Sequence, residues 1–235
     1  MNDTGGDQIS IPLVERCLSV DLEVDPARAQ TFSFAAVRHC DERKVVFRTG
    51  DREAALNRLE RLAAEADYLL GHNIIRHDLP HLAAMRPRLA NLAQRPIDTL
   101  WLNPLAFPRN PYHHLVKHHH DGRLQAGHVN DPELDARLVL TVLENQIAGF
   151  AALNRVNPCA LTAYHFLATC APDSGGFDAA FAEVRQAPRP GAAEAEKAIL
   201  ELLDGTACAF RTHQTLARLS SPQLGWPMGS VAQIR

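Results

Sequence analysis

The chain has 235 residues and a formal net charge of −3, with 46% hydrophobic and 22% charged residues, an ordinary globular balance. That charge excludes a globally basic, nucleic-acid-coating surface, but not a metal nuclease, whose clustered acids lower the net charge themselves. The five cysteines (Cys17, Cys40, Cys159, Cys170, Cys208) form no CxxC pair, which argues against a zinc ribbon or a redox motif.

With no signal peptide at its start and no apolar run long enough for a membrane, the chain is expected to be cytoplasmic, with reduced thiols. Residues 1–13 read as a disordered lead-in. From Arg16 to Val24 the sequence alternates. Leu18, Val20, Leu22 and Val24 take one face, and Ser19, Asp21 and Glu23 the other, which predicts a strand. Further strands are predicted over 31–38 and 44–48, with short polar turns that suggest an antiparallel meander. Leu56, Leu59, Leu62 and Ala63 recur at helical spacing within 51–66.

A short buried strand follows at 68–70, then a helix over about 77–85 with Pro80 in its first turn. The last strand is expected at Ile97–Leu100. Pro104, Pro108 and Pro111 make the next stretch loop-like, ahead of a short helix near His113–His119. The longest helix is predicted from Asp131 to Phe150, opened by Asp131-Pro132 as N-cap and first-turn pair. Beyond Asn157 the chain reads as Ala-rich helices broken at 172–176 and 188–191. This order predicts an α/β fold.

Acids carry the chemistry. Asp21 and Glu23, two apart in a strand, point to one face, where they repel unless a cation lies between them. A plainly solvated face would look the same. Asp78 lies near a helix start, where a carboxylate is favoured and an ordinary capping acid is equally at home. Asp135 shares a helical face with Leu138, Val139 and Val142, so it points inward and needs a partner, a proton or a metal. Hard carboxylate oxygens suit magnesium or manganese, and two such ions can cleave a phosphodiester. No Gly-rich phosphate loop is present.

These residues resemble the DEDD (DnaQ-like) 3′–5′ exonuclease superfamily over roughly 14–150. The matching motifs are Val20-Asp21-Leu22-Glu23, Leu70-Gly71-His72-Asn73-Ile74 with Asp78-Leu79-Pro80-His81-Leu82, and Asp131-Pro132-Glu133-Leu134-Asp135-Ala136-Arg137. Ile97-Asp98-Thr99-Leu100 and His114-Leu115 fit the family's spacing between them.

The resemblance implies a ribonuclease-H-like mixed five-stranded sheet flanked by helices over 14–155, a helical extension over 156–204, and a tail or linker over 205–235. It implies that Asp21, Glu23, Asp78 and Asp135 hold two Mg2+ or Mn2+ ions, with Asp21 touching both, and that Leu22, Val24, His72 and Asn73 contact substrate. The expected activity is 3′–5′ removal of nucleotides from single-stranded DNA or DNA 3′ ends. The last motif also resembles exonuclease-type domains of bacterial RecQ-family helicases, so a helicase module on the same polypeptide is an expected partner.

The family places a His five residues, or a Tyr four residues, before its last aspartate. Here those positions hold Asn130 and Asp131. Asn130 cannot take a proton from water, and His128 stands two residues too early. Both remain candidates, Asn130 for orienting water and His128 as base. Val24-Asp25-Pro26 replaces the family's Thr-Thr-Gly. Lys117, His118, His119, His120 and Arg123 form a basic run that reads either as a phosphate contact or as a solvated helix end. A catalytically degenerate binding or docking module, and an RNA-trimming exoribonuclease, are the alternative readings.

Overall fold

A computed structural model of the chain describes residues 11–25, 30–41, 43–89, 95–110, 113, 115, 131–171, 174–205, 207–208, 210 and 213–214. Alternation sets the central strand, β1 (Cys17–Asp25). Its Leu18, Val20 and Leu22 pack into one core, while Cys17 belongs to a second core on the opposite face. β2 (Gln30–Arg38) runs antiparallel to β1, with Asp21 opposite Ala35 and a register shift between Glu23 and Val24. β3 (Lys44–Phe47) pairs antiparallel with β2, completing the expected meander.

α1 (Arg52–Ala63) is capped by Asp51, whose carboxylate accepts from the Ala54 N–H at 3.0 Å. Its buried Leu56, Leu59 and Leu62 cover the Leu18/Val20/Leu22 side of the sheet. This crossover brings β4 (Tyr68–Gly71) back parallel to β1, and α2 (Asp78–Met85) leads toward β5 (Pro96–Asp98), parallel to β4. The result is a five-stranded mixed sheet in the order β3-β2-β1-β4-β5, flanked by helices, compatible with a ribonuclease-H-like arrangement.

Two expectations need correction here. The last strand stops at Asp98, and the stretch expected to be a loop is a helix, α3 (Thr99–Ala106). Asp98 caps it by accepting from the Leu100 N–H at 3.0 Å, and burial of Leu102 and Leu105 outweighs Pro104. The lead-in expected to be disordered through residue 13 also ends sooner. Leu13 opens a 3-10 turn (Leu13–Arg16), is 1% exposed, and donates its N–H to the Glu183 carboxylate at 2.7 Å. Residues 1–10, the tail beyond residue 214, and the expected helix near 113–119, apart from His113 and Leu115, lie outside the described residues.

α4 (Pro132–Val156) crosses the sheet face opposite α1 and touches β1, β2 and β4. By length and composition it is long and apolar enough to span a membrane, contrary to the expectation for the sequence as a whole. Its Ala136, Val139, Leu143 and Phe150 are instead buried in the core. α5 (Pro158–Ala168), α6 (Gly175–Arg185) and α7 (Ala192–Leu203) share that core through Leu161, Phe181 and Ile199.

Candidate metal centre

β1 presents Asp21 and Glu23 on the side that α4 covers, and Asp135 comes from the first turn of α4. That turn is fixed from several directions. Pro132 occupies the first helical position, and the Asp131 carboxylate accepts from Glu133 N–H at 3.0 Å and Leu134 N–H at 3.4 Å. Arg48 pairs with Asp131 at 2.8 Å, and Lys44 with Glu133 at 2.6 Å, tying the helix start to β3 and the residue after it. Such exposed pairs add little stability, but they set where the helix begins relative to the sheet. Lys44 also holds the Glu133 carboxyl below its usual range.

One carboxylate oxygen each from Asp21, Glu23 and Asp135 lies within 4.8 Å of the others. Asp135 is buried, and Asp21 and Glu23 are half-buried. Three acids this close repel in a medium of reduced dielectric, and a cation between them removes the repulsion. The donors are hard oxygens with no thiolate or imidazole in the group, which fits magnesium or manganese rather than zinc.

Asp78 is the first residue of α2 and 2% exposed. Its Oδ1 accepts from the Leu22 N–H at 3.0 Å, which places it against β1 between Asp21 and Glu23 in sequence. Burial first, and the Asp21 charge second, push its carboxyl up to about 8. Asp78 is therefore next to the three-acid group while standing outside the set that shares the 4.8 Å spacing.

The loop carrying Asp78 is organised by Asp98, which is fully buried. Its carboxylate accepts from Asn73 N–H at 2.9 Å, Ile75 N–H at 3.1 Å and Leu100 N–H at 3.0 Å. Asn73 takes a left-handed φ of 66°, a conformation asparagine tolerates better than most residues. Gly71 is required for a different reason: a Cβ there would lie 2.6 Å from the Ile74 Cβ. His72 Nδ1 meets the Thr99 hydroxyl at 2.9 Å, and that hydroxyl donates to the Gly71 carbonyl at 3.2 Å. A neutral His72 thus carries its proton on Nδ1.

Among the predicted substrate contacts, Leu22 is 3% exposed and buried in the α1-side core; it turns its backbone N–H toward the site, through Asp78. Val24 is half-buried just past the register shift, and His72 and Asn73 are half-buried at the end of β4. His128, Asn130, Lys117 and His118 lie outside the described residues, as do His119, His120 and Arg123.

Sequence reasoning missed the roles of Asp98 and Gln146. Gln146 is fully buried on α4 and donates to the Thr99 carbonyl at 2.8 Å and to Asn103 Oδ1 at 3.0 Å, locking α4 to α3. An aspartate directly before an apolar run was the available signal for Asp98. Gln146 offered only a polar residue within a buried stripe.

No protein-family model, curated protein or solved structure matches this chain.

Proposed function

We propose that this chain is a metal-dependent 3′–5′ exonuclease of the DEDD type, built on a ribonuclease-H-like fold and acting on single-stranded DNA or DNA 3′ ends in the cytoplasm. The observation that carries the reading is the meeting of Asp21, Glu23 and Asp135 at one point, with buried Asp78 beside Asp21. Acids brought from β1, α2 and α4 to one place cost stability unless they hold cations.

In this reading Asp21, Glu23 and Asp135, with Asp78 beside Asp21, would hold Mg2+ or Mn2+ ions. Such ions would supply polarisation of a phosphodiester and a lowered pKa for water. The protein's part is position. β1 is paired to β4 over Cys17–Ser19 and to β2 through Asp21 and Glu23, opposite Ala35 and Ser33, and the β2 ladder keeps the two acids in register. The cap at Asp131 fixes the turn that carries Asp135, and the Leu22 N–H orients Asp78. These supports keep the carboxylates preorganised. The strand's 3′ end would approach beside His72 and Asn73, at the end of β4. A helicase module on the same polypeptide would deliver unwound ends.

The test uses 3′-recessed, single-stranded and RNA oligonucleotides labelled at the 5′ end, in magnesium, manganese or chelator. Shortening from the 3′ end, abolished by chelator and by Asp21→Ala, is the expected outcome. Preferential shortening of RNA would make the chain an exoribonuclease. If nothing shortens in either metal, the enzyme reading is wrong and a binding module takes its place.

A further inference from the structure

α2 carries two histidines one helical turn apart, His77 at its N-cap and His81 four residues on. His77 has backbone angles in the right-handed helical region (φ −106°, ψ −64°), so both side chains fall on one face. Their rings already meet: the centroids are 5.9 Å apart, with the ring planes crossed at 68°. Pro80 lies between them and fixes φ in this turn, which limits how far the two positions can drift apart.

This face is separate from that of the neighbouring acid. Asp78 stands about 100° further round the helix than His77. Its Oδ1 accepts from the Leu22 N–H, so it is turned toward the sheet. His77 is exposed and His81 half-buried, which leaves the ring pair at the surface. Among the described residues neither ring has a hydrogen bond or an ion pair, and the contact each makes is with the other.

A ring pair at the surface adds little to a core, yet this one brings two nitrogen donors within reach of a single point. Zinc–imidazole bonds are about 2.0–2.1 Å long, so two imidazoles sharing one ion keep their centroids within roughly 6.5 Å of each other. The observed 5.9 Å lies inside that limit. Rotation about χ2, a broad torsion, is enough to aim one nitrogen of each ring at the shared point. Imidazole nitrogens suit zinc, nickel or copper, whereas magnesium prefers oxygen. That is the reverse of the carboxylate group, whose donors are all hard oxygens.

We propose that His77 and His81 form a bidentate site for a borderline divalent ion such as Zn2+, outside the carboxylate centre, with water completing the coordination shell. The ion bridges the first turn of α2 and staples the helix start that carries Asp78. The site exists only in the folded helix, because the unfolded chain does not hold the two rings at this spacing. Binding therefore stabilises the folded protein. The site stands independently of what the carboxylates do.

Ni2+ is the probe, since it suits imidazole better than the exposed thiols of Cys40 and Cys208. The full chain is used with His118→Gln, His119→Gln and His120→Gln, so that this run of histidines does not report. Calorimetry should show Ni2+ binding that excess Mg2+ does not displace, together with a rise in melting temperature. His77→Gln and His81→Gln should each weaken that binding about a hundredfold, the loss expected when a two-point attachment becomes one-point, and abolish the rise. No binding of Ni2+ in excess Mg2+, or either variant binding as tightly as its parent, overturns the site. Proton NMR supplies a check in the parent itself: substoichiometric, paramagnetic Ni2+ should broaden the ring signals of His77 and His81 together. Broadening of other histidines while these two stay sharp overturns the proposal as well.

Discussion

Asp78→Asn should stabilise the cation-free protein, and by an amount that depends on pH. The folded chain holds the Asp78 carboxyl at about 8, against 3.8 for an unperturbed aspartate. The folded state therefore binds this proton more tightly than the unfolded chain does. The group's contribution is fully favourable below about pH 4 and is lost progressively as pH rises toward 8. Between pH 3.8 and pH 7 the unfolded carboxyl is ionised while the folded one keeps its proton, a span of about 3 units. At 1.36 kcal/mol per unit, wild type loses about 4 kcal/mol relative to acid conditions through this residue. Because the folded value sits above 7, that figure is set mainly by the unfolded value. Asparagine keeps an oxygen for the Leu22 N–H and has no proton to lose. Urea unfolding of both proteins in chelator, at pH 4, 5.5 and 7, measures the difference; contributions from groups that do not interact with Asp78 cancel in it. The gap between variant and wild type should widen by about 4 kcal/mol over this range. Added magnesium should reverse the order, since the ion stabilises only the protein that retains its full set of ligands. A gap that stays constant from pH 4 to pH 7 would falsify the burial argument for Asp78.

Other parts of the fold give independent tests. Gln146→Leu strips the Thr99 carbonyl and Asn103 Oδ1 of their buried donor, so chemical denaturation should show a loss of about 2–4 kcal/mol at one to two unsatisfied groups. Gly176→Ala would put a Cβ 2.3 Å from the Pro96 carbonyl oxygen, whereas at Gly191 a Cβ meets nothing within 4 Å. The first should lower the melting temperature sharply and the second leave it nearly unchanged; equal effects would contradict the close approach of α6 to β5. His165 is buried, its Nε2 meeting Asp178 at 2.7 Å and its Nδ1 meeting Arg185 at 3.0 Å. Burial lowers its pKa from the usual 6.5 despite Asp178, so its NMR titration midpoint should fall below that value, and stability linked to it should be lost only as pH drops through that lower range.

The parts of this structure that could be read in advance were those governed by local periodicity. Alternation around Asp21 and Glu23 put both acids on one strand face, and the i+3, i+4 and i+7 apolar partners of Asp135 turned it inward. The Asp131-Pro132 pair marked the start of α4. What was not legible depends on partners distant in sequence. Gln146 bonds residues 43 and 47 positions away. Pro104 pointed toward a loop, yet the Asp98 cap and the burial of Leu102 and Leu105 sustain α3 around it. The position of Asp78 in sequence suggested an ordinary cap; that it is buried against β1 appears only once α2 is folded onto the sheet.

The two ends of the sheet carry a consequence for solubility. A strand at a sheet margin exposes unpaired backbone groups and invites another chain to add on. Here β5 is only three residues long and has α6 packed against it through Gly176. At the other margin β3 is four residues long, opens with Lys44, and is followed by Arg48, both paired to the start of α4. Neither margin offers a long, flat, uncharged ribbon. This sheet is guarded against edge-to-edge aggregation at both sides, by a helix at one and by charge at the other.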